Sequence, residues 1–170
     1  MTSATDIRRG TLDAIDRIVH AEATPDAVLR RTVELLHNRF EHYSWVGIYL
    51  VEGGDLVLSH WQGPEATGHV RIPIGTGICG AAAATGKTEV VRDVSDDSRY
   101  LACFPSTRSE IVVPIHFNGE VVGEIDIDSD LPAAFDEIDR RFLEHVARML
   151  SSPCGAALGR FAWGADGANP

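Results

Sequence analysis

The segment from Ser109 to Ser129 is the part of the sequence that most limits the fold. It reads SEIVVPIHF, then Asn118-Gly119, then EVVGEIDIDS, so two β-type runs flank a turn dipeptide. A type I′ turn prefers Asn-Gly because both of its central residues need a positive φ. The segment therefore predicts an antiparallel hairpin, and its long apolar runs predict strands at the centre of a sheet.

The elements around this hairpin predict an α+β domain. Two amphipathic helices fill about the first forty residues, and Thr24-Pro25-Asp26 supplies the N-cap and first-turn proline of the second helix. SWVGIYLV, DLVLSHWQG, HVRIPI and TEVVRDV read as short strands. A last helix, FDEIDRRFLEHVARML, carries an apolar stripe that includes Ile138. We expect a central antiparallel sheet, with the N- and C-terminal helices packed on one face and a ligand pocket on the other.

Composition and charge limit the partners of the chain. The net charge is −10 without a Lys or Arg cluster, which disfavours nucleic acid and anionic membrane surfaces. No apolar run approaches the roughly 20 residues that cross a bilayer, and the N-terminus lacks the apolar core of a secretory signal. We expect one domain over residues 1–152, a loosely held Gly- and Ala-rich tail at residues 153–170, and a cytoplasmic location.

The cysteines predict free thiols without a metal. Cys79, Cys103 and Cys154 are an odd number, and no CxxC or HExxH spacing accompanies them. Cys79 lies in GTGICG, which matches the GxGxxG pattern, but a hairpin follows it where dinucleotide binding needs a βαβ unit. The motif instead predicts a tight turn that opens a helix. The helix dipole favours a Cys79 thiolate, but the chemistry alone favours a packing role for this side chain.

Strand alternation places two aromatic side chains on one face of the first strand and two acidic side chains on one face of the last strand. Trp45 and Tyr49 share a face of the first strand with Gly47, and Asp126 shares a face of the last strand with Asp128. In the alternative interpretation, the aromatic residues are ordinary members of a sheet and the acids lie on a solvent-exposed face, without a functional role. If the two acids are poorly solvated, one raises the pKa of the other and leaves a proton to donate.

The position of Glu110 depends on the hairpin register. A simple two-residue loop pairs Glu110 with Ile127 and turns it away from the two aspartates. A bulge near Pro114, or a three-residue loop, brings Glu110 to their face instead. Both registers stay open from the sequence.

Four segments in this order and spacing resemble a known family. YSWVGIYL, VRIPIGTGICG, LACFPSTRSEIVVPI and GEIDIDS, between about Ser44 and Ser129, are similar to the free methionine-(R)-sulfoxide reductases, which are single GAF domains. The resemblance implies a GAF-like fold. It also implies reduction of free L-methionine (R)-sulfoxide to L-methionine through a cysteine sulfenic acid, with no metal or organic cofactor. The alternative is a non-catalytic GAF sensor module that binds a small ligand.

The resemblance implies roles for individual residues. Cys103 takes the place of the catalytic cysteine. The substrate-binding positions fall on Trp45, Tyr49, Glu110, Asp126 and Asp128.

The sequence departs from the family pattern at two positions. His69 occupies the place of the usual resolving cysteine, and Phe104 replaces an aspartate that commonly follows the catalytic cysteine. Cys79 occupies the position of a second, less essential cysteine of the family and is a candidate resolving thiol. Otherwise an external thiol, either thioredoxin or a small thiol, recycles Cys103. A homodimer through the terminal helices is left open.

Overall fold

The computed structural model describes residues 3–164, and side chains as far as residue 158. Over this part of the chain, no helix is long and apolar enough to cross a membrane. The helices are α1 (Ala4–Ala21), α2 (Pro25–Arg39), α3 (Gly77–Thr85), α4 (Glu137–Met149) and α5 (Ser151–Gly164). The strands are β1 (Trp45–Glu52), β2 (Asp55–Gln62), β3 (Arg71–Pro73), β4 (Glu89–Val91), β5 (Ser109–Phe117) and β6 (Glu120–Ser129).

All six strands form one antiparallel sheet in the order β3-β2-β1-β6-β5-β4. The predicted hairpin, β5 with β6, lies in its interior as expected. The helices α1, α2, α4 and α5 cover one face, where apolar side chains such as Ile48, Ile125 and Phe142 form the main core. A second cluster on the other face includes residues of α3 and of the segment before β5. The predicted α+β architecture is confirmed.

A β-bulge in the hairpin decides which residues face which side. Asn118 and Gly119 have φ of 52° and 86°, as the type I′ turn requires. His116 pairs with Val121, but the next pair is Ile115 with Gly123, so Val122 is an extra residue on β6.

The bulge moves Glu110 to the face that carries the aspartates. Beyond Val122, Glu110 lies opposite Asp128. The simple register, which opposed Glu110 to Ile127, was therefore wrong. The bulge that the sequence left open near Pro114 is present one position further along, between Ile115 and His116.

The stripe predicted for the last helix is wrong at Ile138. That side chain is 61% exposed, and the buried position belongs to its neighbour Asp139. Asp139 completes a capping box with Asp136 and forms an ion pair with Arg8 of α1. The first turn of α4 therefore buries Asp139 and leaves Ile138 in solvent.

The C-terminal segment begins as a helix. Residues from Ser151 to Gly164 form α5, although the sequence predicted a loosely held tail from residue 153. Cys154 is fully buried in the main core, beside the sheet and the terminal helices. Residues 165–170 lie outside the described part, and the domain boundary at residue 152 stays a prediction.

Replacing Gly123 with Ala should destabilise the fold at the bulge. A Cβ at this position would lie 2.4 Å from the backbone oxygen of Tyr49 on β1. Because that oxygen belongs to the paired strand, relief requires a backbone shift, and we expect a loss of about 1–3 kcal/mol in the free energy of unfolding. Urea denaturation followed by tryptophan fluorescence measures it.

Gly10→Ala is the matched control, since nothing lies within 4 Å of a Cβ at that position of α1. Alanine there should add about 0.5–1 kcal/mol of stability through its higher helix propensity. Equal stability of the two variants would contradict the assigned register.

Candidate active site

The candidate active site lies on the sheet face opposite the terminal helices. There β1 pairs with β6 so that Trp45 is opposite Asp128 and Tyr49 is opposite Glu124, while β5 adds Glu110. Cys79 reaches this face from α3, and Cys103 from the segment between β4 and β5. The face thus brings together all seven residues that the sequence singled out: Trp45, Tyr49, Cys79, Cys103, Glu110, Asp126 and Asp128.

Four carboxyl groups form the polar part of the site. Glu110, Asp126 and Asp128 are at most 5% exposed, and a fourth acid, Glu124, is fully buried beside them. Each has at least one oxygen without a protein hydrogen-bond partner, and Glu124 has two. Sequence reasoning missed Glu124, although the alternation in GEIDIDS places it on the same face. Buried carboxyl groups need donors, so this cluster suits a ligand that brings positive charge.

Burial governs the ionisation of these acids. Loss of solvent raises the pKa of Asp126 to about 6. It also raises the pKa of Glu110, Asp128 and Glu124 well above the ordinary range, and repulsion from Asp126 adds to each of those shifts. Burial and repulsion therefore disfavour the ionised form at all four positions. The predicted effect of one aspartate on the other is present.

The aromatic side of the site is closely packed around Trp45. The indole of Trp45 lies over Gly47 and Gly63, where a Cβ would come within 2.3 Å and 2.4 Å of the ring. Trp61 stacks on it with a centroid distance of 6.3 Å, and Phe104 packs at 5.8 Å. The Nε1–H of Trp45 is buried and has no acceptor. Neither Trp61 nor Phe104 was predicted, because their contacts come from separate segments.

Tyr49 lies on the predicted face, but its hydroxyl has a specific partner. The side chain is fully buried, and the hydroxyl donates a hydrogen bond of 2.9 Å to the backbone oxygen of His69. The backbone N–H of His69 in turn donates to Thr67 Oγ1 at 3.0 Å. Tyr49 therefore ties the segment before β3 to the centre of the sheet.

Cys103 is the partly exposed thiol of the site. Its Sγ lies 3.3 Å from His69 Nδ1 and donates to the backbone oxygen of Leu101 at 3.4 Å. Burial, together with the carboxyls of Asp126 and Asp128, raises the pKa of Cys103. A positive charge beside the sulfur would favour the thiolate against these effects.

Cys79 is a buried thiol with a high pKa. It lies in the first turn of α3, and its Sγ donates to Glu110 Oε1 at 3.8 Å. Burial is the main cause that raises its pKa, followed by the nearby Asp126 and Glu124. Lost solvation and adjacent acids act against the thiolate that the helix dipole favours, and the burial of Cys79 fits the packing role.

The same cluster has the geometry to hold a small cation. Ligand atoms of Cys79, Glu110 and Asp126 all lie within 4.8 Å of one another. The sequence showed no metal-ligand spacing, because these three residues come from separate elements.

Comparison with known proteins identifies the class and then the family. The GAF domain family model matches residues 24–152, so the chain is a GAF domain. Protein YtsP of Bacillus subtilis is 43% identical over 118 residues, which are 68% of this chain and 71% of that protein. The free methionine-R-sulfoxide reductase of Escherichia coli is 36% identical over 124 residues, covering 73% and 74% of the two chains.

A solved structure extends the likeness over nearly the whole chain. The free methionine-R-sulfoxide reductase of Neisseria meningitidis, in complex with its substrate, superposes with a TM-score of 0.86 at 38% identity, covering 94% of this chain and 95% of that one. The chain belongs to the free methionine-R-sulfoxide reductase family of GAF domains, a family of oxidoreductases. The resemblance in the sequence is confirmed.

Asp126→Asn should remove a pH dependence of stability. The pKa of Asp126 rises from 3.8 to about 6 on folding, so the folded state holds the proton more tightly. The resulting stability is present below about pH 4 and is lost as the pH rises through about 6; the pKa difference corresponds to about 3 kcal/mol. We expect Asp126→Asn to be more stable than wild type at pH 7 and similar at pH 4, by urea denaturation.

Glu120→Gln is the control, because Glu120 lies exposed at the start of the same strand. Its free energy of unfolding should equal that of the wild type at both pH values. If Asp126→Asn did the same, Asp126 would not be a destabilising buried carboxylate at neutral pH.

Proposed function

We propose that this protein reduces free L-methionine (R)-sulfoxide to L-methionine, with Cys103 as the nucleophile. One observation carries the proposal: a partly exposed thiol lies beside the buried carboxyl groups of Glu110, Asp126 and Asp128, each with an unpartnered oxygen. The relatives support the same substrate, since the Escherichia coli protein is named a free methionine-R-sulfoxide reductase. The Neisseria meningitidis reductase was solved with its substrate.

The acids account for recognition of a free amino acid. The substrate ammonium would bind among Glu110, Asp126 and Asp128, whose unpartnered oxygens can accept its protons. A methionine within a peptide has an uncharged amide nitrogen and cannot neutralise these groups. The S-methyl group would pack against Trp45, because an indole face suits a polarisable sulfur substituent.

The chemistry needs one thiolate and one proton donor. The Cys103 thiolate attacks the sulfoxide sulfur and forms an S–S bond, while a protonated carboxyl of Glu110, Asp126 or Asp128 protonates the oxygen. The hydroxyl then moves to the Cys103 sulfur, and the new S–S bond breaks with its electron pair on the methionine sulfur. Methionine leaves reduced by two electrons, and Cys103 is oxidised to a sulfenic acid.

An external thiol is the proposed reductant. A thiol RSH attacks the sulfenic acid, giving a mixed disulfide and water, and a second thiol releases Cys103 and RSSR. The buried Cys79 has a raised pKa, which makes it a slow attacking thiolate and favours thioredoxin or a small thiol instead. A resolving role for Cys79, a homodimer, a cytoplasmic location and the lack of an organic cofactor stay predictions.

Turnover of separate diastereomers tests the proposal. With dithiothreitol or thioredoxin, we expect methionine to form from the R but not the S sulfoxide of free methionine. Cys103→Ser should lower the rate at least about 10³-fold, because the nucleophile is removed. Cys79→Ser should keep most of the activity. Binding of methionine sulfoxide without turnover by the wild type would contradict the enzyme and favour a sensor module.

Ligand binding should release protons. The bound ammonium favours the ionised acids, so carboxyls such as Glu110 and Asp128 should lose protons when the substrate binds, and affinity should weaken as the pH falls. Titration calorimetry of Cys103→Ser with methionine sulfoxide, in two buffers of different ionisation enthalpy, measures the release. Identical heats in both buffers would contradict ammonium binding at these acids.

A further inference from the structure

We propose that His69 is a catalytic residue that accepts the Cys103 proton and holds the resulting thiolate as an ion pair. The inference rests on the proposed function, because it assigns a base to the same nucleophile. It goes beyond that function by giving a chemical role to the position at which the resemblance leads one to expect a resolving cysteine. The two side chains belong to different segments, 34 residues apart in the chain.

The geometry fits a direct proton transfer. His69 Nδ1 lies 3.3 Å from Cys103 Sγ, which is within hydrogen-bond range for sulfur. In the tautomer with the proton on Nε2, Nδ1 can accept the thiol proton when the single S–H turns from the backbone oxygen of Leu101 towards the ring. Both side chains are half-buried, so solvent competes weakly for this proton.

The other titratable groups that face Cys103 cannot supply a positive charge. They are the carboxyls of Glu110 on β5 and of Asp126 and Asp128 on β6, and the phenols of Tyr49 on β1 and Tyr100 on the same segment as Cys103. Each of these groups is neutral or negative, and a negative charge opposes the thiolate. Among the described residues whose side chains face the sulfur, His69 is the one that becomes a cation when it takes the proton.

The segment before β3 holds His69 in place. The buried Tyr49 hydroxyl donates to the backbone oxygen of His69, and the backbone N–H of His69 donates to the buried Thr67. These bonds fix the backbone of His69 from both sides while its ring stays free to face the sulfur. Tyr49 is therefore a positioning residue for His69.

The proposal fits both halves of the cycle. In the first half, the proton moves from Cys103 Sγ to His69 Nδ1, and the thiolate attacks the sulfoxide sulfur as above. In the second half, Cys103 leaves the mixed disulfide as a thiolate, and an adjacent imidazolium speeds this step because a stabilised thiolate leaves faster. Histidine cannot form a disulfide, so the electrons come from the external thiols named above.

Alkylation of Cys103 tests the pair without any turnover. Iodoacetamide reacts with thiolates, so its rate constant against pH, followed by mass spectrometry of the Cys103 peptide, reports thiolate formation. We expect His69→Ala to move the profile up by about one pH unit or more, so that the rate at pH 7 falls roughly tenfold. His69→Gln, which keeps a polar side chain without the base, should behave in the same way.

His20→Ala is the matched control, because His20 is exposed on α1. It should leave the alkylation profile unchanged. An unchanged profile in folded His69→Ala and His69→Gln, with folding checked by circular dichroism, would overturn the proposal.

Turnover separates this inference from the proposed function. Both His69 variants should lower kcat about tenfold or more at pH 7 with little change in KM, and raising the pH should recover part of the loss. If the wild type showed the His69-dependent alkylation profile but reduced no sulfoxide, the proposed function would fail and the ion pair would stand. If the wild type reduced the sulfoxide but the alkylation profiles of wild type and the His69 variants coincided, the proposed function would stand and the ion pair would fail.

Discussion

Four carboxyl groups buried on one sheet face are the constraint on which the rest of the structure depends. Burial raises the pKa of all four groups, and repulsion from Asp126 adds to the shift of the other three, which costs stability in the free protein. The opposite face offsets this cost. On β6, Ile125 and Ile127 pack into the main core beneath the terminal helices, while Asp126 between them faces the site. Strand β6 thus contributes side chains to both the main core and the polar cluster, and the packed core holds the acids in position.

The thiol and its neighbours have a different origin from the acids. The carboxyls stand on the central strands β5 and β6, whereas Cys103, Phe104 and His69 come from connecting segments laid over that face. Strands give precise spacing to groups that must share charge, and connecting segments let a reactive group meet solvent. The half-buried sulfur lies between the enclosed acids and the surface, which suits a group that must meet both a bound substrate and an external thiol.

Local patterns predicted most of the fold, and the misses have physical causes. Period-two alternation placed Trp45 and Asp126 on their faces, and the turn dipeptide placed the hairpin, because both signals lie in neighbouring residues. The bulge at Val122 is next to Gly123, but a glycine within a strand does not by itself establish a bulge, so the side of Glu110 was undecided. Asp139 displaced its neighbour from the buried stripe through an ion pair with a residue 131 positions away. The contact between His69 and Cys103 likewise depends on how distant segments fold together, and no spacing in the chain encodes it.

The bulge also limits how this strand can change. Val122 is the extra residue between the turn and the acids, and side chains beyond it alternate between the two faces of the sheet. The number of residues in this segment therefore decides which face the acids occupy. Deleting one residue there would exchange the two faces, sending carboxyls towards the terminal helices and isoleucines towards the thiol. Removing two residues would restore the faces and shift only the position along the strand. A change of one residue in this stretch therefore keeps the two faces only if a bulge is gained or lost with it, whereas the connecting segments can vary in length more freely.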